Sequence, residues 1–270
     1  MKNEKSALLK LKKIKGNLNS LNDKLKKIEN RIQIDPIQLD IVKAQSNPQN
    51  FQKSEEYLGK NLNAGDKHYR AFVGPPEKYD LVAAMQFNIA THFGLREEHF
   101  FLDIGCGSLR AGRLFIPYLL SERYFGVEPN AWLIEEGIRQ NIGKDLIKIK
   151  RPYFSSNSDF DFSEFNKKFD FLLAQSIFSH ASQSQIKKCF SEARKVMKEN
   201  SIFLATFVEG ESNYSGERWV YPSCVTYTIE CIINLAEEQG LICKRVDFPH
   251  PNAQSWLAIS QSSLDRDITG

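Results

Sequence analysis

The sequence has no apolar run near the roughly 18 residues that a membrane-spanning helix needs, and its lysine-rich amino terminus leads into no apolar stretch. No span and no secretory signal are therefore expected, and the setting read from the chain is cytoplasmic. Cysteine is scarce. Cys106, Cys189, Cys224, Cys231 and Cys243 form no C-x-x-C pair and show no metal-ligand spacing, so reduced thiols are expected and no metal site. A general basic surface is missing too. Residues 1–33 hold ten Lys or Arg against three Asp or Glu, so the net charge of +3 for the whole chain leaves −4 for the other 237 residues. That balance argues against nucleic acid as a partner of the globular part.

What is present is 270 residues with 41% hydrophobic content, enough for one sizeable core and an appendage. From Ala7 onward apolar residues recur in steps of four and three, with Leu11, Leu18, Leu25 and Ile32 at heptad position a and Ile14, Leu21 and Ile28 at d. The spacing predicts a coiled-coil helix over residues 1–34 and a homo-oligomer joined through residues 7–32. A single amphipathic helix packed on its own domain, or lying on anionic lipid as a peripheral membrane contact, is the competing reading. Asp35-Pro36 ends that helix, and 35–66 reads as a linker with a short helix from Gln49 to Leu58. The main domain is expected over 67–270.

Its centre is FLDIGCGSLRAG, Phe101 to Gly112. A short apolar run, an aspartate, two glycines and a stretch of helical spacing spell strand, tight turn and helix. Gly105 and Gly107 permit backbone angles closed to other residues and let a ligand approach the main chain. A dinucleotide fingerprint would place a third glycine where Arg110 stands, which disfavours a nucleotide-dependent oxidoreductase. Asp103, at the carboxyl end of the strand, is suited to the ammonium of an amino-acid-like ligand. On this motif the sequence resembles the class I S-adenosylmethionine (SAM)-dependent methyltransferases, over roughly Asp66 to Ser260.

The resemblance implies an α/β fold: a Rossmann-like, doubly wound, mostly parallel seven-stranded sheet with helices on both faces. It implies SAM as cofactor and a small-molecule acceptor. Tyr124 to Val127 reads as a second strand ending in Glu128, whose carboxylate suits both ribose hydroxyls. Asn130 is expected to cap the next helix, to Gln140. Leu146 to Lys150 reads as the third strand, and in SNSDFDF beyond it the resemblance implies Asp159 and Phe160 at the adenine, with Asp161 and Phe162 an equal alternative.

FDFLLAQSIFSH, Phe169 to His180, reads as the fourth strand and its loop, which brings Gln175 and Ser176 to the ligand crevice. His180 is the candidate general base for a hydroxyl acceptor, with a helix-capping or packing role as the alternative. Arg110 is a candidate for the methionine carboxylate or an anionic acceptor. His68, Arg70, Val73-Gly74 and Gln86-Phe87 form an H-x-R, V-G and Q-F pattern that precedes the motif in similar proteins. Tyr214, Trp219 and Tyr221, in the long connection after a strand over Ser201 to Val208, are candidate walls of an acceptor pocket. A helix over Thr226 to Gln239 and two strands, Leu241 to Asp247 and Ser255 to Ser260, close the fold. O-methylation of a sugar or phosphoryl-bearing metabolite, as in surface-glycan assembly, is the expected activity. A non-catalytic SAM-binding scaffold assembled through the coiled coil is the remaining alternative.

Overall fold

A computed structural model describes residues 57–263, together with Lys15, Asn19, Ser20, Leu21, Asp23, Lys24 and Lys26. The chain divides into two units, residues 1–57 and 58–270. In the first, those seven residues are helical and exposed. The heptad seam expected over 7–32 otherwise lies outside the described residues, as does 35–56 of the expected linker.

Unit two is an eight-stranded sheet with six α-helices among the described residues. In chain order these are α1 (Tyr79–His92), β1 (Phe101–Ile104), α2 (Gly112–Tyr118), β2 (Tyr124–Val127), α3 (Ala131–Gly137), α4 (Lys144–Lys150), β3 (Tyr153–Ser155), β4 (Phe169–Ala174), α5 (Gln183–Val196), β5 (Met197–Glu209), β6 (Thr226–Tyr227), α6 (Ile229–Glu237), β7 (Ile242–Val246) and β8 (Ser255–Ser260). The strand order is β3-β2-β1-β4-β5-β8-β7, with β6 paired to β5. Strands β1 to β6 pair in parallel, and β8 runs antiparallel to both β5 and β7. The order reverses between β1 and β4, and a ligand crevice opens at the carboxyl ends of strands on such a switch point.

Alternation along β1 separates two cores. Leu102 and Ile104 join Phe125, Phe190, Phe203 and Ile232 on one face, while Phe101 joins Ile89, Phe115, Leu204 and Trp256 on the other. Strands covered on both faces read as near-continuous apolar runs, which is why FLDI, YFGV and FDFLLA are legible. Each fully buried phenylalanine contributes about 1.5–3 kcal/mol. Helix α5 follows the same logic with a period near 3.6: Ile186, Cys189, Phe190, Ala193 and Val196 are its buried stripe, and Ser182 with Gln185 closes a reciprocal capping box at its start.

Several boundaries differ from those expected. Residues 146–150 are the end of helix α4, not the third strand, which is Tyr153–Ser155. The alternating L-I-K-I-K pattern imitates a strand, but Leu146, Ile147 and Lys150 are the partly buried positions and Ile149 is exposed, a helical spacing. Lys148 and Lys150 lie in its last turn, where cations suit the helix dipole, and Arg151 leaves the helix in the left-handed region ahead of Pro152. The helix after Arg110 begins only at Gly112. β5 is longer than expected, and Thr226–Tyr227 is a short strand that makes the sheet eight-stranded, with Thr228 capping α6. The helix after Asn130 stops at Gly137 and continues as one π turn, Ile138–Ile142.

Candidate active site

The turn after β1 is stitched to the end of β2: the Gly105 and Cys106 amides donate to the Val127 carbonyl at 2.8 and 3.0 Å. Gly105 and Gly107 hold φ of 72° and 52°, in the left-handed region. A Cβ on Gly105 would overlap the Ile177 side chain, and one on Gly107 would lie 2.7 Å from Val73 Cγ1. Both glycines line a cavity of about 920 Å³. Small-ligand pockets run to roughly 1,000 Å³, so this one has room for an adenosyl amino acid and a second small molecule together.

Glu128, at the tip of β2, is 7% exposed and lines the same cavity. Its Oε2 accepts from the Gly107 amide at 3.2 Å, and its Oε1 accepts from the Asn130 amide and Asn130 Nδ2, both at 2.8 Å. Burial pushes the carboxyl up, and the amide donors pull it back. Oε1 has both lone pairs engaged, and Oε2 keeps capacity for one further donor, such as a ribose hydroxyl. Asn130 makes no capping bond from its side chain, contrary to expectation, because that side chain is spent on orienting Glu128.

Asp103 is 3% exposed and is not among the residues that line the cavity. Its Oδ2 accepts from the Tyr124 hydroxyl at 2.6 Å, and burial lifts the carboxyl to about 6 despite that bond and the nearby Arg110 charge. Arg110 is 8% exposed and lines the cavity. Its Nη1 donates to Val73 O at 2.6 Å and its Nη2 to Gln175 Oε1, while Nε has no partner. Burial brings this guanidinium down to about 10. Gln175 Nε2 lies 3.2 Å from His250 Nε2, and burial, Arg110 and Lys78 together hold that imidazole down to about 4.

His180 lines the cavity, and its Nδ1 lies 2.9 Å from both Val220 O and Ser223 O. Two carbonyl oxygens only accept, so Nδ1 carries the proton and Nε2 keeps a lone pair in the neutral ring. Burial lowers the imidazole below its usual 6.5, so it is neutral at pH 7. Trp219 and Tyr221 stand 5.6 and 5.1 Å from this ring and also line the cavity; Tyr214 does not. Next to them Ser176 holds φ of 61°, with its amide on Thr206 Oγ1 at 2.7 Å. Thr206 in turn donates to Gln254 Oε1 at 2.6 Å, and Gln254 Nε2 donates to Ser176 Oγ at 2.8 Å. This closed ring maintains an unfavourable backbone angle at the cavity wall.

The structure thus brings Gly105, Gly107, Arg110, Glu128, Phe160, Gln175 and His180 to one cavity, and leaves Asp103 and Asp159 off its wall. Asp159 donates its amide to Asn157 Oδ1, and it is Asn157 and Ser158 that line the cavity beside Phe160. Asp161 bonds Ser163, and Phe162 is core. His68 and Arg70 support the loop from outside: His68 Nδ1 accepts from the Arg70 amide, and Arg70 lies 4.6 Å from the centre of the Tyr79 ring, whose hydroxyl meets Ser108. The sequence reading missed Lys78, Thr206 and Gln254. Lys78 follows the Val73-Gly74 pair by four residues and Gln254 stands just before the last strand, but no local pattern ties either to the cavity.

No family model matches the sequence, and no curated protein matches it. Solved structures do. The magnesium protoporphyrin IX methyltransferase ChlM of Synechocystis PCC 6803, with bound S-adenosylhomocysteine (SAH), superposes with a TM-score of 0.55 at 12% identity, covering 83% of this chain and 99% of that one. An S-adenosylmethionine-dependent methyltransferase from Clostridium acetobutylicum ATCC 824 gives 0.50 at 12% identity over 68% and 92%. The glycopeptide N-methyltransferase MtfA gives 0.52 at 10% identity over 67% and 90%. The fold is that of the class I SAM-dependent methyltransferases.

Proposed function

We propose that the chain is a SAM-dependent methyltransferase acting on a hydroxyl of a small polar acceptor. The observation that carries this reading is the pairing, on one cavity wall, of a glycine turn held in the left-handed region with a buried carboxylate, Glu128, at the tip of the next strand. Glu128 receives a ribose hydroxyl, Asn157 and Ser158 face the adenine edge, and Phe160 flanks the ring. Arg110, which lines the cavity, takes the methionine carboxylate. Asp103 supplies a fixed negative charge behind the loop, at the end where the cofactor is cationic.

When bound, SAM supplies a methyl group on a sulfonium, already activated for in-line displacement. His180 Nε2 accepts the proton of the acceptor hydroxyl as that oxygen attacks, while its Nδ1–H stays on the Val220 and Ser223 carbonyls. Trp219 and Tyr221 wall the acceptor and exclude water. Calorimetry on the full chain tests the cofactor assignment. SAH is expected to bind and NAD is not; binding of NAD with no response to SAM or SAH overturns the reading.

A further inference from the structure

The charges around the cavity sum to zero once Asp103 is counted, but they are not paired one to one. Of the titratable residues in its wall, Glu128 is the one carboxylate, and Lys78 and Arg110 are cations. His180 is kept neutral by burial, and Tyr221 and Cys224 are pushed up and keep their protons. Asp103, behind the wall, answers Arg110. Lys78 makes no ion pair among the described residues: its ammonium donates to the Pro251 carbonyl at 3.0 Å. SAM itself brings a sulfonium and an ammonium against one carboxylate, so filling the cofactor's place adds positive charge to a site that already has an unmatched cation.

Lys78 is also placed rather than trailing. Pro75 and Pro76 fix the turn that carries it, a 3-10 turn over Pro76–Lys78 that runs straight into α1. Its stem is partly buried, and its head bridges to the segment between β7 and β8, where Pro251, Asn252 and Gln254 form the opposite wall. An ammonium with one neutral acceptor retains two N–H donors for an oxyanion.

We propose that the methyl acceptor is an anion, a hydroxyl compound bearing a phosphate or a carboxylate, and that Lys78 receives that group. The proposal rests on the methyl-transfer reading and adds the substrate class to it. A group seated at Lys78 lies within the field of Arg110 and beside His250, whose ring is also approached by Gln175, by the Asn252 amide on Nδ1 and by Trp256 at 6.0 Å. An anion there relieves the two cations that depress His250, so its titration moves up from about 4.

The test uses the full chain saturated with SAH and inorganic phosphate as the probe, followed by calorimetry and by the His250 imidazole resonance. Phosphate is expected to bind the SAH complex and raise the His250 titration. Lys78→Gln should weaken phosphate by about tenfold or more and leave SAH affinity within about twofold, and Lys78→Arg should restore phosphate. A Lys78 that only straps two walls together fails this test, because Gln and Arg would then behave alike toward phosphate. Phosphate binding that SAH abolishes, or that is indifferent to Lys78→Gln, overturns the proposal; in the first case the seat belongs to the cofactor's carboxylate. Failure of SAH to bind the wild type is a separate result, which removes the methyl-transfer reading and this proposal with it.

Discussion

The two halves of the cavity are held by different means. The half under β1 and β2 comes from one continuous stretch, residues 101–130, in which parallel pairing sets Asp103 beside Gly126 and Ile104 beside Val127. Main-chain bonds then fix the glycine turn and Glu128. The other half is assembled from four segments distant in sequence. Tyr221 donates to Phe72 O, Lys78 to Pro251 O and Gln254 to Ser176 Oγ. Backbone pairing between adjacent strands is dense and cooperative, whereas single side-chain bonds across loops contribute about 0.5–1.5 kcal/mol each. The first half is accordingly a rigid cradle, and the second is the one whose chemistry can change without disturbing the sheet.

The sharpest separation of the halves comes from His180. Replacing it with alanine should lower methyl transfer from labelled SAM into a small-molecule extract by roughly 10²–10⁴-fold while SAH affinity stays within about twofold. The wild-type rate should be full at neutral pH and fall on the acid side as the imidazole gains a proton, through a value below 6.5 because burial disfavours the charged ring. That acid limb should vanish in the variant. Full turnover in His180→Ala would remove the base assignment and reduce the ring to a loop anchor. Glu128→Ala probes the opposite half and should give a smaller number in a different column: about 10–100-fold in SAH affinity, from the loss of one charge-assisted bond at Oε2. An unchanged SAH affinity would break the comparison at its firmer end.

The same contrast explains what was legible in the sequence. FLDIGCG and YFGVE are read correctly because a strand, a glycine turn and a strand-tip acid are local patterns, and the parallel sheet brings them together without further information. LIKIK misleads because a period of two over five residues does not separate a strand from a short helix whose exposed side carries Ile149. Asn157 rather than Asp159 reaches the cavity because Asn157 Oδ1 gathers the amides of Asp159 and Asp161 into a turn, a choice made by backbone geometry that composition does not encode. Lys78 and Gln254 were invisible for a deeper reason. Their place depends on which loops meet across the carboxyl edge of the sheet, and loop contacts at that range leave no spacing to read.

Asp103 yields the smallest expected effect and sharpens the comparison from below. Its carboxyl is raised from 3.8 to about 6 by burial, so the folded protein holds this proton more tightly than the unfolded chain does. The stability Asp103 contributes is therefore fully present below about pH 4 and is lost as pH rises through about 6. The gap between the two values caps the effect at about 3 kcal/mol, and relaxation around a buried charge brings the expected difference to about 1 kcal/mol. Asp103→Asn keeps an acceptor for the Tyr124 hydroxyl and removes the charge. Urea unfolding of the free protein should find the variant more stable than the wild type at pH 8 and no more stable at pH 4. SAH should bind the variant less well, since the fixed charge facing the cofactor's cationic end is gone. A variant less stable at pH 8 would mean that Arg110 depends on Asp103 for its own burial. The cradle half would then be held by an ion pair as well as by its backbone.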